Sequence, residues 1–214
     1  TRASMAYLNA TDPRTVNLMY KTLLKWGFRG QNLAYYWAKK FKLVRRKSRP
    51  AATTGKMTTH TQIVNFVSKP LPPKLPAQTL RQLLTLEDDK NIPILRDPSK
   101  VSDQSDAVFY FPGCGSERLF SQIGMATLAM LHEIGTQTIL PPGYLCCGYP
   151  QTSSGDTKKG QQISVNNQVL FHRVANTLNY MDIKTVIVSC GTCMDQLQKY
   201  RFQQIFPGCP LVIT

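Results

Sequence analysis

Five of the six cysteines in this 214-residue chain fall in three tight groups: Cys114 alone, the adjacent pair Cys146-Cys147, and Cys190 with Cys193. Thiols grouped this way can ligate metal as thiolates, or they can run thiol–disulfide exchange through the Cys-x-x-Cys pair. Glycine or proline flanks each group, in Pro112-Gly113-Cys114-Gly115, Cys146-Cys147-Gly148 and Cys190-Gly191-Thr192-Cys193. Such backbone lets amide N–H groups come close to sulfur and donate to it. A zinc ion takes four ligands, and so does a cubane iron–sulfur cluster, so a fifth thiolate is surplus to either. Adjacent Cys146 and Cys147 are awkward for one ion and natural for two neighbouring irons. Exchange chemistry uses Cys190 and Cys193 but leaves the other three idle. Cys209, in Phe206-Pro207-Gly208-Cys209-Pro210, comes before a strand rather than after one and reads as structural.

The elements that must carry these groups begin at Asp106. Apolar runs at 107–111, 136–140, 185–189 and 211–213 alternate with helical periodicity at 116–134, 157–180 and 192–205. This β-α-β-α-β-α-β order predicts an α/β, Rossmann-like, mostly parallel sheet covered on both faces. In the first of these helices Leu119, Ile123, Ala126, Met130 and Ile134 are expected to form the buried face, with Gly135 as the stop. All five grouped cysteines lie just past carboxyl ends of predicted strands, where an open parallel sheet forms its ligand crevice. Helices opening near Ser116 and Thr192 would aim their positive ends at the thiolates.

The chain ahead of this region is different in kind. Residues 1–60 carry 13 Lys and Arg against the single acid Asp12, which leaves only two units of the formal +14 for the remainder. Asp12-Pro13 reads as a helix start, with Val16, Met19, Leu23 and Trp26 at helical spacing and Gly27 and Gly30 as the end. A second helix would place Leu33, Tyr36, Trp37, Phe41 and Val44 on one face, with Lys39, Lys40, Lys42, Arg45, Arg46 and Lys47 near its end. A neighbouring domain is the favoured cover for that apolar face, ahead of an anionic membrane surface, with nucleic acid last. Residues 61–105 hold six prolines around Leu80, Leu83, Leu84 and Leu86 and read as a Pro-rich linker lying on a surface. The expected organisation is therefore a basic helical segment 1–60, a linker 61–105 and a cysteine-rich domain 106–214. Removal of residues 1–60 is expected to leave that domain folded and metallated.

The composition, 42% hydrophobic and 18% charged, excludes wholesale disorder, and no run of 18 apolar residues offers a membrane span. Six cysteines in 214 residues fall far below the roughly 8 to 10% of a disulfide scaffold and favour a reducing compartment. A start at Thr1 and a strand-like end at Thr214 suggest a piece of a longer polypeptide. His60, His132 and His172 are not expected to be ligands. Lys158 and Lys159 read as a solvated helix start, and Tyr144 and Tyr149 as packing.

The pattern of Cys114, Cys146-Cys147-Gly148 and Cys190-x-x-Cys193 resembles the CCG, or cysteine-rich, domain. That domain occurs in heterodisulfide reductase, in the glycolate-oxidase iron–sulfur subunit and in anaerobic glycerol-3-phosphate dehydrogenase. The wording from Phe109 to Arg118 and from Pro141 to Gly155 is most similar to bacterial fusions that join an FAD-linked D-lactate or glycolate type oxidase to an iron–sulfur tail. The resemblance implies a 4Fe–4S cluster, noncubane in form, on Cys114, Cys146, Cys147, Cys190 and Cys193, with zinc as the alternative seen in some relatives. The chain departs from the family in three ways. The gap between Cys147 and Cys190 is long; the upstream ferredoxin-type cysteine run is missing; and so is a second CCG unit. It has no flavin-binding signature either, so FAD would belong to another part of the protein.

What the resemblance implies is the iron–sulfur part of a flavin-linked oxidoreductase rather than a complete enzyme. It would pass electrons from flavin towards a quinone or another acceptor, next to a flavin oxidase domain and further iron–sulfur domains. The implied location is cytoplasmic, with peripheral contact at the inner face of the membrane through residues 1–60. The alternatives are a zinc-structured interaction domain and a Cys-x-x-Cys thiol–disulfide oxidoreductase.

Overall fold

The computed structural model describes residues 7–41, 76–102, 105–206 and 211–213. These fall into two compact units, one of residues 1–16 with 76–214 and one of residues 17–75. The readings made for Lys42 to Lys47, His60, the linker up to Leu75 and Cys209 lie outside the described residues.

The helix α1 (Pro13–Met19) opens as expected: the Asp12 carboxylate accepts from the Thr15 N–H at 2.7 Å and Pro13 occupies the first turn. The glycines do not end the helical run. A π-helical stretch, Tyr20–Lys25, leads into α2 (Trp26–Lys40), which passes straight through Gly27 and Gly30. A glycine inside a helix costs about 1 kcal/mol and does not by itself break it. On α2 and its cap, Trp26, Leu33, Tyr36 and Phe41 are each more than half exposed, and Arg29 and Lys40 sit over the Trp26 and Trp37 rings. No helix among the described residues is long and apolar enough to cross a membrane.

In the sheet-bearing unit, Thr79 starts a helical turn, α3 (Leu80–Leu83), with a reciprocal capping box to Gln82. A short strand, β1 (Ile94–Leu95), follows and leads to β2 (Ala107–Phe111). Beyond β2 the chain makes a π-helical turn, Gly115–Leu119, then α4 (Ser121–Glu133) and β3 (Gln137–Ile139). The helices α5 (Tyr149–Ser153) and α6 (Thr157–Thr177) precede β4 (Ile183–Val188). The order closes with α7 (Gly191–Gln198), α8 (Phe202–Ile205) and β5 (Leu211–Ile213).

The sheet order is β1-β3-β2-β4-β5, parallel throughout except for β1, which pairs antiparallel with β3 at the edge. This is the predicted α/β, mostly parallel architecture. Side chains alternate along β2. Phe109 and Phe111 face a core with Phe171, Val174, Leu197 and Phe206, under α6, α7 and α8. Val108 and Tyr110 face the other core with Leu80, Leu128 and Leu131, under α3 and α4. The strand β1 and the turn α3 come from the Pro-rich stretch, where two residues of strand and four of helix leave too short a period to read.

Two helices differ from expectation. Residues 116–134 are not one helix: Phe120 breaks it, with φ −131 and ψ 58, between the π turn and α4. The restart shifts the phase, so Gly124, Leu128 and Leu131 are buried while Ile123, Met130 and Ile134 are 48%, 66% and 75% exposed. Residues 192–205 are likewise split, because Arg201 adopts φ 51 between α7 and α8.

Candidate metal centre

Each cysteine group sits on the backbone just past a strand. Gly113, at φ 65, turns the chain after β2, and a Cβ there would lie 2.8 Å from the Cys193 sulfur. Only glycine lets Cys114 and Cys193 share that space. The loop after β3 delivers Cys146 and Cys147 and ends on Gly148, at φ 88, which enters α5 in a left-handed conformation. Cys190 is the N-cap of α7, so Cys193 lies in the first turn of that helix.

The sulfurs form one continuous series. Cys146 Sγ is 3.8 Å from Cys114 Sγ, and Cys193 Sγ is 3.5 Å from Cys147 Sγ. Cys146 and Cys147 are adjacent in the chain and join the two pairs, and Cys190, whose sulfur meets the Thr192 hydroxyl, precedes Cys193 by three residues at the start of α7. Cys146, Cys147 and Cys193 are buried, while Cys114 and Cys190 are half-buried. The structure thus brings together all five residues that the sequence singled out, all with free thiols. His132, His172, Lys158 and Lys159 are exposed.

The proton distribution follows from that packing. Hydrogen bonding with the Cys114 and Cys147 thiols, aided by the Gly148 N–H and the Arg118 charge, holds the Cys146 thiol down at about 3. Its neighbours bear the opposite effect: hydrogen bonding to Cys146 and burial push both Cys114 and Cys147 up. Burial would raise Cys190, but the Thr192 hydroxyl, 3.0 Å away, and the Cys193 and Thr192 N–H groups lower it overall. The first turn of α7 therefore stabilises sulfur anion through its free backbone donors.

Two different shells back this series. Behind Cys147 and Cys193, Phe171 meets Phe109 and Phe111 edge-on at 5.1 and 5.8 Å. Tyr200 Oη donates to the Cys147 carbonyl at 2.9 Å, and Asn167 Nδ2 donates to the Cys146 carbonyl at 2.7 Å. Behind Cys114 and Cys146 the shell is charged. Arg81 Nε donates to Glu117 Oε1 at 2.5 Å, with both side chains at most 2% exposed, and Arg81 Nη2 donates to the Pro141 carbonyl. Arg118 reaches the carbonyls of Tyr7 and Ala10. Both guanidiniums lie over the Tyr144 ring, at 5.6 and 5.3 Å.

The sequence did not mark Arg81, Glu117, Arg118, Asn167 or Tyr200. The available signal for two of them was the charged pair Glu117-Arg118 just after Cys114, between two apolar runs. As part of a regular helix these side chains would point away from each other. In the wide π turn Ser116, Glu117 and Arg118 are all buried in succession, and such turns recur at functional sites.

Thiolate-only donors suit zinc or iron–sulfur centres. Two sulfurs on one tetrahedral zinc would lie about 3.8 Å apart, so each close pair fits a shared metal. Among the described residues, however, no three His, Cys, Asp or Glu side chains are grouped to hold one ion. An open polar cleft of about 840 Å³ lies at the other end of the strands, lined by Arg96, Asp106, Asp182 and Lys184, and holds none of the five cysteines.

Residues 108–198 match the family model of the CCG cysteine-rich domain. The chain is 29% identical over 100 residues to a probable glycolate oxidase iron-sulfur subunit of Bacillus subtilis, covering 47% of this chain and 21% of that protein. Over 103 residues it is 26% identical to lactate utilization protein A of Geobacillus kaustophilus, 48% of this chain and 38% of the relative. It is also 28% identical over 85 residues to one of the subunits of the fumarate reductase (CoM/CoB) of Methanothermobacter marburgensis, 40% of this chain and 16% of the relative. The chain thus spans well under half the length of these curated relatives. No solved structure matches it.

Proposed function

We propose that this CCG domain binds an iron–sulfur cluster, of noncubane 4Fe–4S type, through Cys114, Cys146, Cys147, Cys190 and Cys193, and relays single electrons within an oxidoreductase. The observation that carries the reading is the two close thiol pairs, Cys114 with Cys146 and Cys147 with Cys193, next to Cys190 at the start of α7, past the carboxyl ends of β2, β3 and β4. Relatives named as iron-sulfur, lactate utilization and fumarate reductase proteins support it. Bound there, a cluster supplies one-electron redox chemistry at a potential set by its surroundings.

The chain's own residues do the rest. Phe109, Phe111 and Phe171 keep water from the Cys147 and Cys193 side, Tyr200 and Asn167 fix the carbonyls of the Cys146-Cys147 loop, and the opening turn of α7 donates to the Cys190 sulfur. The reading extends to a flavoprotein partner as electron donor and to a quinone or similar acceptor. The exposed aromatics of α2, flanked by Lys25, Arg29, Lys39 and Lys40, would serve as the docking face for an acidic partner domain. An anionic membrane surface is the competing occupant.

Anaerobic reconstitution with iron and sulfide, followed by metal and sulfide analysis and EPR, tests the cluster. A brown protein with iron, sulfide and a dithionite-reducible signal is the expected result. Stoichiometric zinc without sulfide would instead make this a zinc-structured domain. No metal together with a fast-reacting Cys190 would make it an exchange enzyme.

A further inference from the structure

Buried charge is costly unless compensated, and two arginines are buried beside the thiol series. Arg81 and Arg118 are 1% and 0% exposed, and Glu117 is 1% exposed. The carboxylate bonds Arg81. Arg118 has no carboxylate within ion-pairing distance among the described residues: its two Nη atoms bond the neutral carbonyls of Tyr7 and Ala10, and its Nε has no hydrogen-bond partner. Arg81 Nη1 is also unpartnered. The three side chains together hold one net positive charge in the protein interior.

A buried ion of this kind costs several kcal/mol unless an opposite charge lies near. Glu117 lies close enough for its charge to act on Arg118 as well as on Arg81, so one carboxylate is shared by two cations, and the further opposite charge beside Arg118 is sulfur. Arg118 follows Cys114 by four residues, its charge acts on both Cys114 and Cys146, and the π turn is what carries it inward. Tyr144 ties it to the cysteine loop, since it lies two residues before Cys146, is fully buried, and has the Arg118 guanidinium 5.3 Å from its ring. A centre ligated by thiolates is net negative and would supply the missing counter-charge.

We propose that Arg118 is a positioning residue whose permanent charge neutralises the Cys114–Cys146 side of the thiolate-bound centre and raises its reduction potential. The inference rests on the cluster reading above. A guanidinium suits this role because it stays charged at any working pH and its planar face stacks on tyrosine while its edge donates to carbonyls. Electron uptake adds negative charge to the centre, so a fixed positive neighbour favours the reduced form.

The test uses the whole 214-residue chain, reconstituted anaerobically, with the midpoint potential as readout. Arg118→Met removes the charge at similar length and is expected to shift the ratio of reduced to oxidised centre at least tenfold towards oxidised, about 59 mV or more for one electron. Arg118→Lys keeps the charge and is expected to stay within about threefold of wild type. The double variant Arg81→Met/Glu117→Leu removes an ion pair without changing net charge and is expected to leave the potential in place. If Arg118→Met unfolds or loses its cluster, the two other variants decide: a tenfold shift in either overturns the inference, and wild-type values in both uphold it. An Arg118→Met protein with the wild-type potential overturns the inference alone. A wild-type chain that takes up no iron and sulfide overturns the cluster reading and takes this inference with it.

Discussion

The two halves of the thiol series rest on opposite physics. Cys147 and Cys193 are backed by aromatic rings and one tyrosine hydroxyl, so their surroundings are held by burial and packing. Cys114 and Cys146 are backed by two guanidiniums, a carboxylate and a tyrosine ring between the cations. A packed apolar wall is stable whether or not the centre is loaded. A charged wall with a surplus cation is balanced only when negative charge sits beside it. The difference teaches that the same strand-end crevice can be stable on one side and poised on the other.

The largest expected effect falls on metal retention. Cys114→Ser and Cys193→Ser, one from each half, should each lose most of the bound metal, read as iron and sulfide per chain after gel filtration. Cys209→Ser, placed by the sequence before the last strand, should retain it. Equal retention in Cys114→Ser and the wild type would break the comparison by making the charged half a bystander.

Next come the walls themselves. Phe171→Ala removes a fully buried ring that meets both Phe109 and Phe111, and should cost about 3 to 5 kcal/mol in urea unfolding. Glu117→Gln strands the Arg81 cation and should cost about 3 to 5 kcal/mol as well. The halves separate when the whole ion pair is replaced: Arg81→Met/Glu117→Leu should be neutral or more stable by about 1 to 4 kcal/mol, because the desolvation penalty goes with the pair. No replacement of Phe171 by a smaller side chain should behave that way. A smaller effect belongs to Tyr200→Phe, which leaves the Cys147 carbonyl unpaired and should cost about 1 to 3 kcal/mol.

The sequence made the apolar half legible and the charged half almost invisible, for a physical reason. Strand runs such as Ala107–Phe111 and Ile183–Val188 and the Gly-flanked cysteines are local signals, and the sheet topology then brings the five thiols together without further information. The charged half joins residues far apart in the chain: Tyr7 and Ala10 with Arg118, and Arg81 with Glu117. No periodicity encodes such pairs, and a buried charge is the opposite of what hydropathy leads one to expect. The π turn and the break at Phe120 hid Glu117 and Arg118 further by shifting the phase of the helix. The expectation that residues 1–60 could be removed with no loss to the centre overlooks the same long-range contact, since that cut would take away both carbonyl acceptors of Arg118.

The smallest effect sharpens this last point. Asp12 begins α1 two residues after Ala10, and its carboxylate accepts from the Thr15 N–H, which is the main reason its pKa lies below the usual carboxylate range. The group is fully exposed, so the cap should matter less than any change above. Its sign is fixed by linkage. A carboxyl depressed in the folded state adds stability above its unfolded value of 3.8 and loses it as pH falls through the lower folded value. Asp12→Ala should therefore be slightly less stable than wild type at neutral pH, and the two urea midpoints should converge as the pH is taken below about 3.8. Fraying at this cap loosens the segment that holds Arg118, not the aromatic wall. Hydrogen exchange in the variant should thus rise at residues 7–16 and in the Gly115–Leu119 turn while α6 and β4 keep their protection. Equal loosening of both walls would mean that the two halves unfold as one unit.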